Sequence, residues 1–219
     1  MAAKFDLPFT QPSSIVAFLC TLIIVVFVSP IGQVGRLDAL STAVRLFHLF
    51  SFAAWLGVQI WVTFFAGFTM YQYMPRHMFG FIQSKLFPKY FLLGTILSSV
   101  TIVTFLIEHP FTDWDFTEKM QGYSLAVSLL MVIVNLVYLE PQTTKCTFSK
   151  HKFEKEINAG NAIGKLEKDK QEQLRKNPQY SALESKFIWL HSYASVANLV
   201  ALAAQAVHLW YLSCKLTSI

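Results

Sequence analysis

From Leu46 to Met74 the chain carries no Asp, Glu, Lys or Arg. The segment holding this run, STAVRLFHLFSFAAWLGVQIWVTFFAGFTMYQYM from Ser41, is dense in aromatic residues, and Gly57 and Gly67 interrupt its bulk. About 20 apolar residues suffice to cross a bilayer, and this stretch exceeds that. In hydrocarbon every backbone N–H and C=O must be paired inside the segment, which leaves the α-helix. The charged fraction of the whole chain is 14%, well below the roughly 25% of soluble domains. The chain therefore reads as an all-α integral membrane protein. Its predicted fold is a four-helix transmembrane core plus an extra N-terminal transmembrane helix, with cytosolic amphipathic and polar helices.

Residues 1–13 form a short polar N-terminus in which Pro8 and Pro12 discourage a helix. The apolar run 14–34 reads as the extra transmembrane helix. A cleaved signal peptide is the competing reading, but cutting after Ser29 puts Pro30 beside the scissile bond and Phe27 at the −3 position. The long transmembrane helix spans 41–74. Its roughly 33 residues reach about 50 Å, more than the ~30 Å of hydrocarbon, so it tilts or protrudes. Pro75 stops it. Residues 75–89 read as an interfacial amphipathic segment with Phe79 and Phe81 on the apolar side and Arg76, Lys85 and Lys89 as headgroup contacts. Transmembrane helices at 90–109 and 123–139 follow, joined by the acidic loop 110–122. Residues 140–186 form a charged helical loop with ten basic and seven acidic residues, ended by Asn177-Pro178. The last transmembrane helix is 187–213.

The charges also orient the chain. The segments 75–89 and 140–186 are both basic and are separated by two spans, so they share a face. The positive-inside rule makes that face cytosolic, together with the N-terminus 1–13, and leaves 110–122 and the C-terminus lumenal or external. The net charge of +5 reports this orientation against anionic lipid, and nucleic acid is not an expected partner. Three scattered cysteines form neither a disulfide framework nor a CxxC pattern.

Polar residues inside the spans fall on stripes. His48, Ser51, Trp55, Gln59 and Thr63 lie at i, i+3, i+7, i+11 and i+15 of the long helix. Ser124, Ser128 and Asn135 share a face of the third core helix, and His191, Ser195, Asn198, Gln205 and His208 share one on the last. Interhelical hydrogen bonds worth about 0.6 kcal/mol each account for such stripes. A haem or copper site is the sharper alternative, with His48, His191 and His208 as candidate ligands. His48 and His191 fall near opposite membrane faces, and His208 is the better placed to approach His48. The default expectation is no cofactor and no metal. Gly57 and Gly67, with Ala53 and Ala54, would let neighbouring backbones approach closely.

The blocks PRHMFGFIQSKLFPKYF, LEPQTTK and NPQYSALESKFIWLHSYASVANL, together with HLFSFAAWLGVQIWVTFFAGF, resemble the transmembrane protein 205 family over about residues 45–213. The resemblance implies a four-helix membrane core without established catalytic residues, in a family linked to cellular resistance to platinum drugs. This chain adds the hydrophobic segment 14–34. More distantly, His48 with Trp55-Leu56-Gly57 is similar to the first helix of copper-resistance and haem-pathway four-helix membrane proteins.

No catalytic constellation is present, so the expected function is a non-enzymatic accessory or scaffolding subunit of a larger membrane complex, with lipid and a membrane-protein partner as its contacts. Handling of lipid is a special case, and a small transporter or metal- or haem-binding protein is the alternative. The expected location is the endoplasmic reticulum or plasma membrane of a eukaryotic cell. A glycosylation sequon introduced beside Asp113 is expected to be modified and one at position 165 to stay unmodified. The opposite pattern would invert the topology.

Overall fold

The computed structural model describes residues 36–110 and 114–215. The expected segments 1–13 and 14–34 lie outside the described residues. The chain divides into two units at Arg45, and the packing below is that of Leu46 onward.

Among the described residues seven α-helices run in order: α1 (Arg36–Trp61), α2 (Gly67–Tyr73), α3 (Arg76–Glu108), α4 (Phe116–Val134), α5 (Glu140–Glu156), α6 (Lys168–Arg175) and α7 (Pro178–Lys215). Wide π-helical turns at Val62–Ala66 and Asn135–Leu139 splice α1 to α2 and α4 to α5 without a break. The result is four long rods, Ser41–Tyr73, Arg76–Glu108, Phe116–Glu156 and Pro178–Lys215, each long and apolar enough to cross a membrane. Consecutive rods run in opposite directions, so one end of the bundle carries Met74-Pro75 and the segment 157–177, and the other carries His109 and Asp115.

The burial pattern is that of a protein solvated by lipid. Phe47, Trp61, Phe65, Phe68, Val137, Trp189 and Trp210 are exposed, while Ser51, Gln59, Thr101, Gln121, Ser128, Asn135 and Gln205 are buried. The polar side chains face one another and the apolar ones face outward, where hydrocarbon would be. Trp55 sits at the centre, fully buried, packed with Tyr90, Phe91, Val132 and Ala201.

Three predicted boundaries are corrected. Residues 75–89 and 90–109 are not two elements but one helix, α3, which continues through Pro88. A proline there removes one backbone bond and clashes with the carbonyl four residues back, but packing on both sides of it holds the rod together. Gly80 lies against His151 and Thr147, and Phe87, Tyr90 and Phe91 pack in the core. Within that segment Phe81, Lys85 and Lys89 are exposed, while Arg76 and Phe79 are half-buried between the rods.

The second correction is at residues 123–139 and 140–186, whose shared boundary is likewise a continuous helix. The π-turn before Glu140 explains how Pro141 is tolerated. The Glu140 N–H bonds the carbonyl of Asn135, five residues back, and the widened turn makes room for a ring that lacks an N–H. The rod also starts earlier than 123, at Phe116. Asp115 accepts from the Glu118 N–H at 2.7 Å, and Glu118 accepts from the Asp115 N–H at 3.1 Å, so the acidic loop contains a capping box.

The third lies at Asn177-Pro178, which begins the last rod instead of ending the polar region. The Asn177 side chain accepts from the Gln179 N–H at 2.9 Å, and Pro178 occupies the first helical position.

Close packing in the core falls at Gly94 and not at the expected Gly57 or Gly67. A Cβ at Gly57 would meet nothing within 4 Å, and at Gly67 only a carbonyl at 3.6 Å, whereas at Gly94 it would strike the Trp55 ring. Gly94→Ala is expected to displace Trp55 and to cost about 1–3 kcal/mol, seen as a lower melting temperature in detergent. Gly57→Ala should be neutral or slightly stabilising.

Candidate functional site

Three polar assemblies occupy the bundle interior. At the end that carries His109 and Asp115, His48 and His208 face each other with their Nε2 atoms 2.9 Å apart. His48 Nδ1 lies 3.1 Å from the Thr101 carbonyl and 3.0 Å from Thr104 Oγ1. A carbonyl only accepts, so Nδ1 of His48 carries the proton. His208 is fully buried, its Nδ1 lies 3.0 Å from Gln121 Oε1, and Phe52 and Phe105 close around its ring. Ser51 joins through Thr101 Oγ1 at 3.0 Å. Two imidazoles on opposite sides of one metal ion would stand about 4 Å apart. At 2.9 Å this pair is bonded ring to ring and locks the long rod to α7.

The middle of the bundle turns on Asn198. Its Oδ1 accepts from the Tyr90 hydroxyl at 2.8 Å, its Nδ2 donates to Thr63 Oγ1 at 2.8 Å, and its carbonyl accepts from Gln59 Nε2 at 3.0 Å. Thr63 lies in the π-turn of the first rod. Gln205 Nε2 donates to Ser128 Oγ at 2.8 Å, and Asn135 Nδ2 to the Ala194 carbonyl at 3.3 Å. The structure thus pairs the expected residues His48 with His208 and Gln59 with Asn198, while Asn135 and Gln205 bond Ala194 and Ser128. It separates His191, which stacks on Phe187 and faces the cavity described below.

At the opposite end Glu154, fully buried, accepts from Arg76 Nη2 at 2.8 Å and from the Tyr180 hydroxyl at 3.0 Å through Oε1. His77 Nε2 lies 3.2 Å from its Oε2. The segment after α5 folds back to hold these groups. With no side-chain cap at Pro75, the first N–H groups of α3 donate to this segment, Arg76 to the Ala162 carbonyl at 2.8 Å and His77 to the Gly160 carbonyl at 3.1 Å. Gly160 is required because a Cβ there would enter the His77 ring. The His77 and His151 rings lie tilted against each other, with centroids 4.1 Å apart and planes 30° from parallel. His77, His151 and Glu154 could each offer one metal ligand, all within 4.8 Å of one another. Arg76 and Tyr180 already occupy one oxygen of the Glu154 carboxylate, and His77 lies against the other. The observed geometry is that of a compensated buried charge.

Between this cluster and the Asn198 hub lies a cavity of about 630 Å³ bounded by all four rods. Phe64, Phe68, Tyr71, Phe79, Phe87 and Leu199 supply apolar walls. Gln83, Ser84, Glu140, Thr143, Thr144, Thr147, His151, His191 and Ser195 supply polar ones, and Arg76, Lys150 and Glu154 form the charged end.

Sequence reasoning missed two sets of residues. The first is the polar stripe of α3, where Tyr90, Gly94, Ser98 and Thr101 fall at i, i+4, i+8 and i+11, a periodicity that is visible in the sequence. The second is the ion cluster, whose members are 78 residues apart (Arg76 and Glu154) and carry no local signal.

Removing one partner of a buried pair leaves an uncompensated charge. Arg76→Met is expected to cost about 3 kcal/mol in stability, measured by unfolding in detergent. Adding Glu154→Met should restore most of that loss, because the orphaned carboxylate goes with it.

Residues 50–152 match a family described as a domain of unknown function, DUF4149. Over 180 residues the chain is 32% identical to transmembrane protein 205 of Danio rerio, covering 80% of this chain and 95% of that protein. No solved structure matches. The four apolar rods, the polar interior and this shared sequence agree, and the chain belongs to the transmembrane protein 205 family.

Proposed function

We propose that this protein is a non-enzymatic membrane subunit that holds an amphiphilic lipid in its interhelical cavity and presents it within a larger membrane complex. The observation that carries the proposal is the cavity itself. It offers about 630 Å³, within the ~300–1,000 Å³ range of ligand pockets. It joins an aromatic wall from α2 and α3 to a polar wall from α5 and α7, and charged groups gather at one end. An amphiphile matches that division, with its chain against the phenylalanines and its head toward the charges. The walls Phe64, Phe68, Tyr71 and Leu199 are exposed, which leaves the cavity open to an acyl chain.

The basic face built from α5, α6 and the start of α7 supports docking of a partner at the same end. Its lysines carry the charge asymmetry expected of a cytosolic surface. The membrane containing the complex is proposed to be the endoplasmic reticulum or the plasma membrane.

Native mass spectrometry of protein purified in mild detergent is expected to show one retained lipid per chain, and crosslinking in membranes should recover a stoichiometric partner. Ser195, exposed toward the cavity, offers the test of location. Ser195→Trp should abolish lipid retention with an unchanged melting temperature. Retention by this variant equal to that of the native chain would remove the cavity from the proposal.

A further inference from the structure

Lys150 is 6% exposed and lines the cavity. Its Nζ lies 4.6 Å from the Phe187 ring centroid and 5.6 Å from that of Tyr180. Among the described residues it has neither a hydrogen-bond acceptor nor an ion-pair partner. The two carboxylates that attract it are both committed elsewhere. Glu154 is held by Arg76 and Tyr180, and Glu184 by Arg175 at 2.9 Å. Arg76 and Glu154 cancel, so this end of the cavity keeps one formal positive charge.

Lysine is almost never so fully buried unless paired. Two aromatic faces supply a cation with some attraction but not with an acceptor. The other acid on the cavity wall, Glu140, accepts from Thr144 Oγ1 at 2.7 Å. It stands ten residues earlier on the same helix, about 15 Å along the axis, and does not serve Lys150. A compact anion entering this end would meet the ammonium directly.

Resting on the lipid-holding role proposed above, we infer that Lys150 is the head-group site of the cavity and that the group it recognises is a phosphate. Phosphate matches a compact, strongly hydrated ammonium with three donors. It can come from a phospholipid head or from free phosphate.

The test uses the full chain in phosphatidylcholine nanodiscs. Three probes are compared: dioleoyl phosphatidic acid, dioleoylglycerol and inorganic phosphate. The two lipids differ only in the phosphate. The native chain is expected to retain phosphatidic acid about tenfold better than dioleoylglycerol, the scale of a charge-assisted hydrogen bond. Lys150→Met should erase that preference while still retaining dioleoylglycerol as the native chain does, and Lys150→Arg should keep most of it. Equal retention of both lipids by the native chain overturns the inference, as does an undiminished preference in Lys150→Met. If neither lipid is retained, the lipid-holding role fails. In that case binding of inorganic phosphate that Lys150→Met loses would uphold the anion site with free phosphate as its source, and no phosphate binding would overturn it.

Discussion

A polar side chain surrounded by hydrocarbon has no water to bond and must find another polar group. That constraint organises this bundle more than apolar packing does, because lipid satisfies exposed phenylalanine and leucine as well as a neighbouring helix would. Asn198 shows how far one residue can serve it. Its amide and its carbonyl engage Tyr90 of α3 and Gln59 and Thr63 of the first rod. The His48–His208 pair repeats the device near one end, and the Gln205–Ser128 bond ties α7 to α4. Each bond is worth little alone, but together they set the register of four rods that could otherwise slide.

The opposite end follows electrostatic rules of its own. Glu154 is buried and survives there because Arg76, Tyr180 and His77 surround it. Holding them in place takes the turn from Asn158 to Gly164, whose carbonyls also cap α3. The two π-turns have a related effect on the rods. One places Thr63 against Asn198, and the other carries α4 past Pro141 so that α5 lines the cavity instead of ending at the membrane surface. Cavity, ion cluster and Lys150 thus share one structural cause, the extension of the third rod beyond its apolar segment.

Much of the middle of the bundle was legible in the sequence. Gln59, Asn135, Asn198 and Gln205 stand at helical spacing in charge-free runs, and such residues have few alternatives to bonding one another. The approach of His48 to His208, with His191 apart, followed from counting spans and directions. The prolines were harder to read. Pro88 and Pro141 lie inside rods and Pro178 opens one, because what a proline does depends on packing around it and on whether a wide turn can absorb the missing bond. The α3 stripe was readable but is made of hydroxyls and a tyrosine, which stand out less than amides and imidazoles.

By itself the sequence determined that this chain lies in a membrane as long helices with a polar seam. Hydrophobic length and the need to pair every backbone group leave no other outcome, and both are properties of contiguous residues. Only the tertiary structure decided that Arg76 would meet Glu154 and that Lys150 would be enclosed without a carboxylate, and only there does a cavity take shape between the rods. These depend on distances between segments far apart in the chain, which no local pattern encodes. A lysine in a charged run looks solvated until the fold shows what surrounds it.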